Sequence, residues 1–97
     1  MELSTEEAVE AKEVLGVLNE GGSVRYFAVA GWQAVHNKDG EPFPTQKCSV
    51  TVFLHLREKG LIDMSERNVM GYPYYADNHR SDVYRITKAG RKFLKRK

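Results

Sequence analysis

The chain opens with an amphipathic pattern that predicts a helix over residues 5–19. Ser4 and Glu7 have the spacing of a capping box, in which each side chain accepts a hydrogen bond from the other residue's backbone N–H. The apolar residues that follow recur at helical spacing and share one face: Ala8, Ala11, Leu15 and Leu18. Gly21 and Gly22 end the helix, because glycine readily adopts the left-handed conformation of a C-cap.

The pattern changes after these glycines, and residues 23–36 alternate as strands do. Aromatic and β-branched residues favour strands over a helix here. Two strands with a turn at Ala30-Gly31 are one prediction, and a single long strand that turns at residues 37–40 is the other. Residues 41–44 contain two prolines, which lack an N–H to donate and exclude a central strand or a helix. We therefore expect an extended loop there.

A second helix is predicted to begin at Thr45 or Gln46 and to end at Lys59, with Gly60 as its C-cap. Helical spacing gives it an inward face of Cys48, Ser49, Val52, Phe53 and Leu56. Its outward face then carries Lys47, Val50, Thr51, Leu54, Arg57 and Glu58.

The last part of the chain predicts two strands and a third helix. The strands cover residues 61–64 and 83–86, and a loop over residues 67–82 connects them. Thr87 is the predicted cap of the helix. The apolar residues that anchor this helix to the core are Phe93 and Leu94.

Composition indicates one domain over residues 1–97, with a basic tail at residues 95–97. The 97 residues are 41% hydrophobic and 29% charged, which suits one modest core rather than a disordered chain. The single cysteine, Cys48, cannot form an internal disulfide, and the histidines are too scattered for a metal site. Neither a membrane-spanning apolar run nor a signal-peptide pattern occurs. We expect a cytoplasmic protein without metal or cofactor.

The net charge of +2 conceals a strong asymmetry along the chain. Residues 1–20 carry six acids and one base, whereas residues 79–97 carry eight bases and one acid. Such an asymmetry indicates an anionic partner. The alternative is that the end of the chain is a solvated tail and that the other bases only favour a helix C-terminus.

The order of elements resembles that of a winged-helix domain, and two segments carry the resemblance. Residues 53–62 resemble the end of a recognition helix that enters the first wing strand, and residues 83–94 resemble the returning wing strand and a capped final helix. Similar runs are frequent in small bacterial winged-helix regulators of the MarR and PadR type. The resemblance implies an α+β winged-helix domain with three main helices, a β-hairpin wing and an additional β segment after the first helix.

A narrower resemblance is to the prophage family of topoisomerase-I-inhibiting toxins. It rests on Val14-Leu15, on Gly21-Gly22, on the apolar spacing of residues 48–62 and on Tyr84-Arg85-Ile86. The chain departs from that family in its tyrosine-rich loop and its basic C-terminal helix. The resemblance concerns core positions and implies a shared fold more than a shared target.

The first functional hypothesis is a DNA-binding regulator of transcription from a bacterium or phage, acting as a monomer or weak homodimer. Its contacts would be Gln46, Lys47, Ser49, Thr51 and Arg57 on the second helix, and Arg67, Arg80, Arg85 and Lys88 around the wing. In this hypothesis Gln46 reads adenine in the major groove. Arg67 and Arg80 contact phosphates or the minor groove.

The second hypothesis is a winged-helix module that binds a protein, such as a host enzyme. Val50 and Leu54 support it, because they form an apolar pair on the outward face of the second helix. Three tyrosines of the long loop would add contact area: Tyr72, Tyr74 and Tyr75. The alternative is that these rings fold the loop back onto the core. No phosphate-binding loop, carboxylate dyad or nucleophile arrangement occurs, so neither hypothesis is an enzyme.

Overall fold

The computed structural model describes residues 3–27, 31–38, 41–70 and 80–95. The elements in these ranges are α1 (Thr5–Asn19), β1 (Ser23–Phe27), β2 (Gly31–Lys38), β3 (Glu41–Lys47), α2 (Val50–Glu58), β4 (Ile62–Met70), β5 (Arg80–Ile86) and α3 (Lys88–Lys95). The strands form one antiparallel sheet in the order β3-β2-β1-β5-β4. The architecture is α+β, as predicted.

Strand β1 lies at the centre of the sheet. It pairs with β2 from Ser23 opposite Val35 to Phe27 opposite Gly31, and its Val24 lies opposite Tyr84 of β5. The prediction of two strands after α1 is confirmed, although Gly31, which was expected in the turn, begins β2, and the single long strand is wrong. The connection between the two strands falls at residues 28–30, which lie outside the described residues.

The prediction of a loop at residues 41–44 is wrong, because these residues begin strand β3. Pro42 lies opposite Asn37 and Pro44 lies opposite Val35 in the pairing with β2. Strand β3 is an edge of the sheet, and proline is tolerated there because an edge strand needs donors on one side only. The prolines exclude a central strand but not an edge strand.

Helix α2 begins at Val50, later than predicted, because the chain stays in the sheet as far as Lys47. Ser49 is the N-cap, and its hydroxyl oxygen accepts a hydrogen bond from the Val52 N–H at 3.3 Å. Gln46 and Lys47 therefore lie at the end of β3, and their predicted location on the helix is wrong. Cys48 connects the two elements.

The caps predicted for α1 and α3 are present. The Glu7 N–H donates to the Ser4 hydroxyl at 3.2 Å, and the Ser4 N–H donates to the Glu7 carboxylate at 2.9 Å. The Thr87 hydroxyl accepts from the Gly90 N–H at 3.1 Å and donates to the Gly60 carbonyl at 2.6 Å. Thr87 therefore caps α3 and also ties its first turn to the end of α2.

Strands β4 and β5 are longer than predicted. Strand β4 extends to Met70 and strand β5 begins at Arg80, so much of the predicted loop over residues 67–82 is strand. Their pairing includes Asp63 opposite Arg85 and shifts register twice. Residues 71–79, which include the three loop tyrosines, lie outside the described residues.

The core lies between the three helices and one face of the sheet. Val24, Ala34 and Tyr84 are opposite one another on that face, and they join the buried residues of α1 and α2. The predicted core residue Trp32 packs against this core and stacks on Phe53, with ring centroids 3.9 Å apart. The predicted anchors of α3 also pack there: Phe93 and Leu94.

Candidate nucleic-acid interface

Helix α3 carries bases along one face and apolar residues along the other. The bases recur at intervals of three and four residues and are all exposed: Lys88, Arg91, Lys92 and Lys95. In the part of the chain that the structure describes, no ion pair or side-chain hydrogen bond engages them. These four bases form a row of positive charge on the surface, called here the α3 basic face.

Gly90 fixes the position of this face. A Cβ atom built on Gly90 would lie 2.3 Å from the Leu61 carbonyl oxygen and 2.6 Å from Cγ1 of Ile86. Only glycine therefore lets α3 approach the start of β4 so closely. With Phe93 and Leu94 turned to the core, the bases face solvent.

The N-terminus of α2 is occupied by a carboxylate of the same chain. The backbone N–H and the hydroxyl of Ser49 both donate to the same oxygen of Glu10, each at 2.9 Å. A helix N-terminus otherwise attracts phosphate groups. Because Glu10 stands there, the predicted contact residue Ser49 is engaged in joining α1 to α2.

The other contacts that were predicted for the second helix lie partly at the end of β3 and partly on α2. Gln46 is half-buried at the end of β3, where its amide donates to the Lys47 carbonyl at 3.1 Å. The Lys47 side chain is exposed beside it. Thr51 is half-buried in the first turn of α2, and Arg57 is exposed near its end.

Gly60, in the turn between α2 and β4, is hydrogen-bonded both to Arg57 and to the residue before Lys88. The Gly60 N–H donates to the Arg57 carbonyl at 3.1 Å, and the Gly60 carbonyl accepts the Thr87 hydroxyl beside Lys88. The end of α2 therefore adjoins the start of the α3 basic face. Gln46 and Lys47 precede the opposite end of α2.

The predicted wing contacts differ from one another in what surrounds them. Arg67 is exposed on β4. Arg85 contacts Glu66 at 3.4 Å and donates to the Gly21 carbonyl at 3.5 Å, so its charge is partly compensated. The backbone of Arg80 begins β5, and its side chain lies outside the description.

The outward face of α2 has the apolar pair that the sequence predicts. Val50 is 59% exposed and Leu54 is 46% exposed. Leu54 also lines a depression of about 170 Å³ together with Thr51, His55 and Glu58. The loop tyrosines of the protein-binding hypothesis lie outside the described residues: Tyr72, Tyr74 and Tyr75.

Three bases of the α3 basic face were not among the predicted contacts: Arg91, Lys92 and Lys95. Their spacing from Lys88 was visible in the sequence. The sequence alone indicates an anionic partner for this end of the chain but not which bases face it, because the side of the helix that packs on the core depends on Gly90 and its distant neighbours.

Removing the Glu10 carboxylate is expected to weaken the junction of α1 and α2. In Glu10→Ala, the Ser49 N–H and hydroxyl lose their acceptor in a partly buried place, which costs about 1 to 2 kcal/mol of unfolding free energy. Chemical denaturation measures this loss. Glu13→Ala is the matched control, because Glu13 is exposed one turn further along α1. Equal losses in the two variants would contradict this role for Glu10.

The Cys48 thiol is expected to be inert in the folded protein. Burial raises its pKa to about 12, and the negative charge of Glu10 acts in the same direction. At pH 8 only about one thiol in ten thousand is then a thiolate, so a thiol reagent should react at least about 100-fold more slowly than after unfolding. The raised pKa also makes stability depend on pH. Its contribution to the free energy of unfolding is complete below about pH 8.5 and is lost as the pH rises towards 12. Reaction of native protein at the unfolded rate would contradict this burial.

Comparisons with protein-family models, with curated proteins and with solved structures find no match to this chain. Among the residues that the structure describes, no group of three or more His, Cys, Asp or Glu could hold a metal ion. None of the described helices is long and apolar enough to cross a membrane.

Proposed function

We propose that the protein binds double-stranded DNA, as a small winged-helix regulator of transcription in a bacterium or phage. The observation that carries this proposal is the α3 basic face, with four exposed bases and no compensating acid on the helix. The row from Lys88 to Lys95 is about 10 Å long. Each strand of duplex DNA presents one negative charge for about every 3.4 Å of the axis, so a row of this length spans about three phosphates of one strand.

The contacts extend from α3 to the end of α2. The hydrogen bonds of Gly60 with Arg57 and Thr87 join the end of α2 to the start of α3. Contacts of this kind go to phosphates, and they fix the position of a protein on the duplex without reading its sequence. We therefore assign most of the affinity to phosphate contacts from α3 and the end of α2.

The succession of α2, β4, β5 and α3 supports the winged-helix arrangement, with β4 and β5 as the wing. In a helix-turn-helix, another helix comes directly before the recognition helix. In this protein three strands, β1 to β3, lie between α1 and α2 instead. Because Glu10 occupies the start of α2, and because Val50 and Leu54 are exposed there, we assign no base contacts to α2 in this proposal. Arg67 on the wing adds a phosphate contact.

A salt titration of the affinity for a fluorescent duplex tests the proposal. Each base that releases a counterion contributes about 0.9 to the slope of log K against log salt. The triple variant K88Q/K92Q/K95Q should therefore bind more weakly, and its slope should be lower by about 3. Lys12→Gln is the matched control, because Lys12 is an exposed base on α1 and is not part of the α3 basic face.

Two results would overturn DNA binding. One is the absence of binding to duplex at about 50 mM salt, where phosphate contacts are strong. The other is a triple variant with the same affinity and slope as the parent protein.

The second candidate function is protein binding through α2, favoured by the exposure of Val50 and Leu54 beside the depression of about 170 Å³. A pull-down with and without nuclease separates the two functions. A partner that is retained after nuclease treatment, lost in Leu54→Ser and kept by the triple α3 variant would support protein binding.

A further inference from the structure

A cavity that is partly open to solvent lies between the three helices. Its volume is about 220 Å³, and its floor is apolar: Ala8, Ala11, Leu56, Leu61 and Phe93. The space exists because α1 presents two small side chains, at Ala8 and Ala11, where it faces α2 and α3. Ala8 is exposed, so the cavity opens to solvent.

The mouth of this cavity is positively charged. Lys12 of α1 and Lys59 after α2 both line it, and the His55 ring adds a polar group. The described residues that line the cavity include no carboxylate. Neither lysine is engaged by an ion pair or a side-chain hydrogen bond in the described part of the chain. An apolar floor beneath two free ammonium groups matches a ligand with an apolar body and an anionic end.

We propose that this cavity binds a small carboxylate with an apolar body, such as an alkanoate of six to eight carbons. A dry cavity of about 150 Å³ in another protein holds one benzene molecule, so about 220 Å³ accommodates a ligand of this size. The apolar body lies against Leu3, Ala8 and Phe93, which are the more accessible apolar residues of the lining. The carboxylate lies at the mouth between Lys12 and Lys59. This site does not depend on DNA binding.

Titration with octanoate, observed in methyl NMR spectra of the whole chain, tests the site. We expect saturable shifts of the Ala8, Ala11, Leu56 and Leu61 methyl signals. Octan-1-ol has the same apolar chain without the charge, and acetate has the charge without the chain. Both should bind at least about tenfold more weakly than octanoate, because each lacks one half of the recognition.

Variants separate the two halves of the site. Ala8→Leu places a larger side chain at an exposed helical position, fills the cavity without disturbing the core, and should abolish the octanoate shifts. The double variant K12Q/K59Q should bind octanoate about tenfold more weakly and leave octan-1-ol unchanged. Lys47→Gln is the matched control, because Lys47 is exposed outside the cavity. Dispersed NMR spectra confirm that each variant is folded.

Three results would overturn the proposal. The first is octanoate that produces no saturable shifts at millimolar concentration. The second is octan-1-ol that binds as tightly as octanoate, because the lysines would then contribute nothing. The third is a folded Ala8→Leu variant that binds octanoate as the parent protein does.

Discussion

Replacing Leu56 with alanine is expected to lower the free energy of unfolding by about 2 to 5 kcal/mol. Leu56 is completely buried at the centre of α2, in the cluster that joins α1, α2 and the sheet. The loss combines the apolar transfer free energy of the removed carbons with the cost of the space that they leave. Chemical denaturation with a shared m-value measures the change.

Leu54→Ala is the matched control for this substitution. Leu54 lies two residues away on the same helix but is 46% exposed, so its truncation should change stability by about 0.5 kcal/mol or less. If the two variants lost equal stability, α2 would not be packed through the face that carries Leu56.

Replacing Gly90 with alanine should give the second large effect, a loss of about 1 to 3 kcal/mol. The new methyl group would lie 2.3 Å from the Leu61 carbonyl oxygen, and a backbone atom cannot move aside as the end of a flexible side chain can. Helix α3 must then shift away from the start of β4. Thermal denaturation measures the loss, and weaker DNA binding is expected to accompany it because the α3 basic face moves too.

Gly16→Ala is the control, and it should change stability in the opposite direction. Gly16 lies within α1, and a Cβ atom there has nothing within 4 Å. Alanine is favoured over glycine in a helix interior, so this variant should gain about 0.5 to 1 kcal/mol. An equal loss at both positions would show that the contact with Leu61 does not explain the effect at Gly90.

The elements that the sequence predicts well are those fixed by nearby residues. The capping box at Ser4 and the apolar spacing of α1 lie within a few turns of each other, and they give the bounds of that helix. The inward face of α2 follows from helical spacing in the same way. Thr87 is visible as a cap because its partner, the Gly90 N–H, is three residues away.

The start of α2 could not be predicted from nearby residues. Thr45 and Ser49 are both residues that cap helices, and local preference does not choose between them. The choice depends on Glu10, which is 39 residues before Ser49 and supplies the acceptor for its N–H and hydroxyl. Pairing of β3 with β2 then keeps Gln46 and Lys47 in the sheet.

The candidate site is also predictable from the sequence only in part. The spacing of Lys88, Arg91, Lys92 and Lys95 is visible in the sequence. The direction in which this row faces depends on the contact of Gly90 with Leu61 and on the anchoring of Phe93, which join residues far apart in the chain. The apolar pair of α2 is predictable, because its exposure follows from the burial of the other face.

The two outer strands of the sheet also bear on whether two copies of this protein can pair edge to edge. Residues two apart in a strand direct their N–H groups to the same side, so Pro42 and Pro44 remove two donors from the free side of β3. The outer strand β4 presents exposed charges at Asp63, Glu66 and Arg67 and is irregular in register. Missing donors on one edge and charges on the other are features that disfavour pairing of the sheet with a second copy, and hence its growth into a fibril.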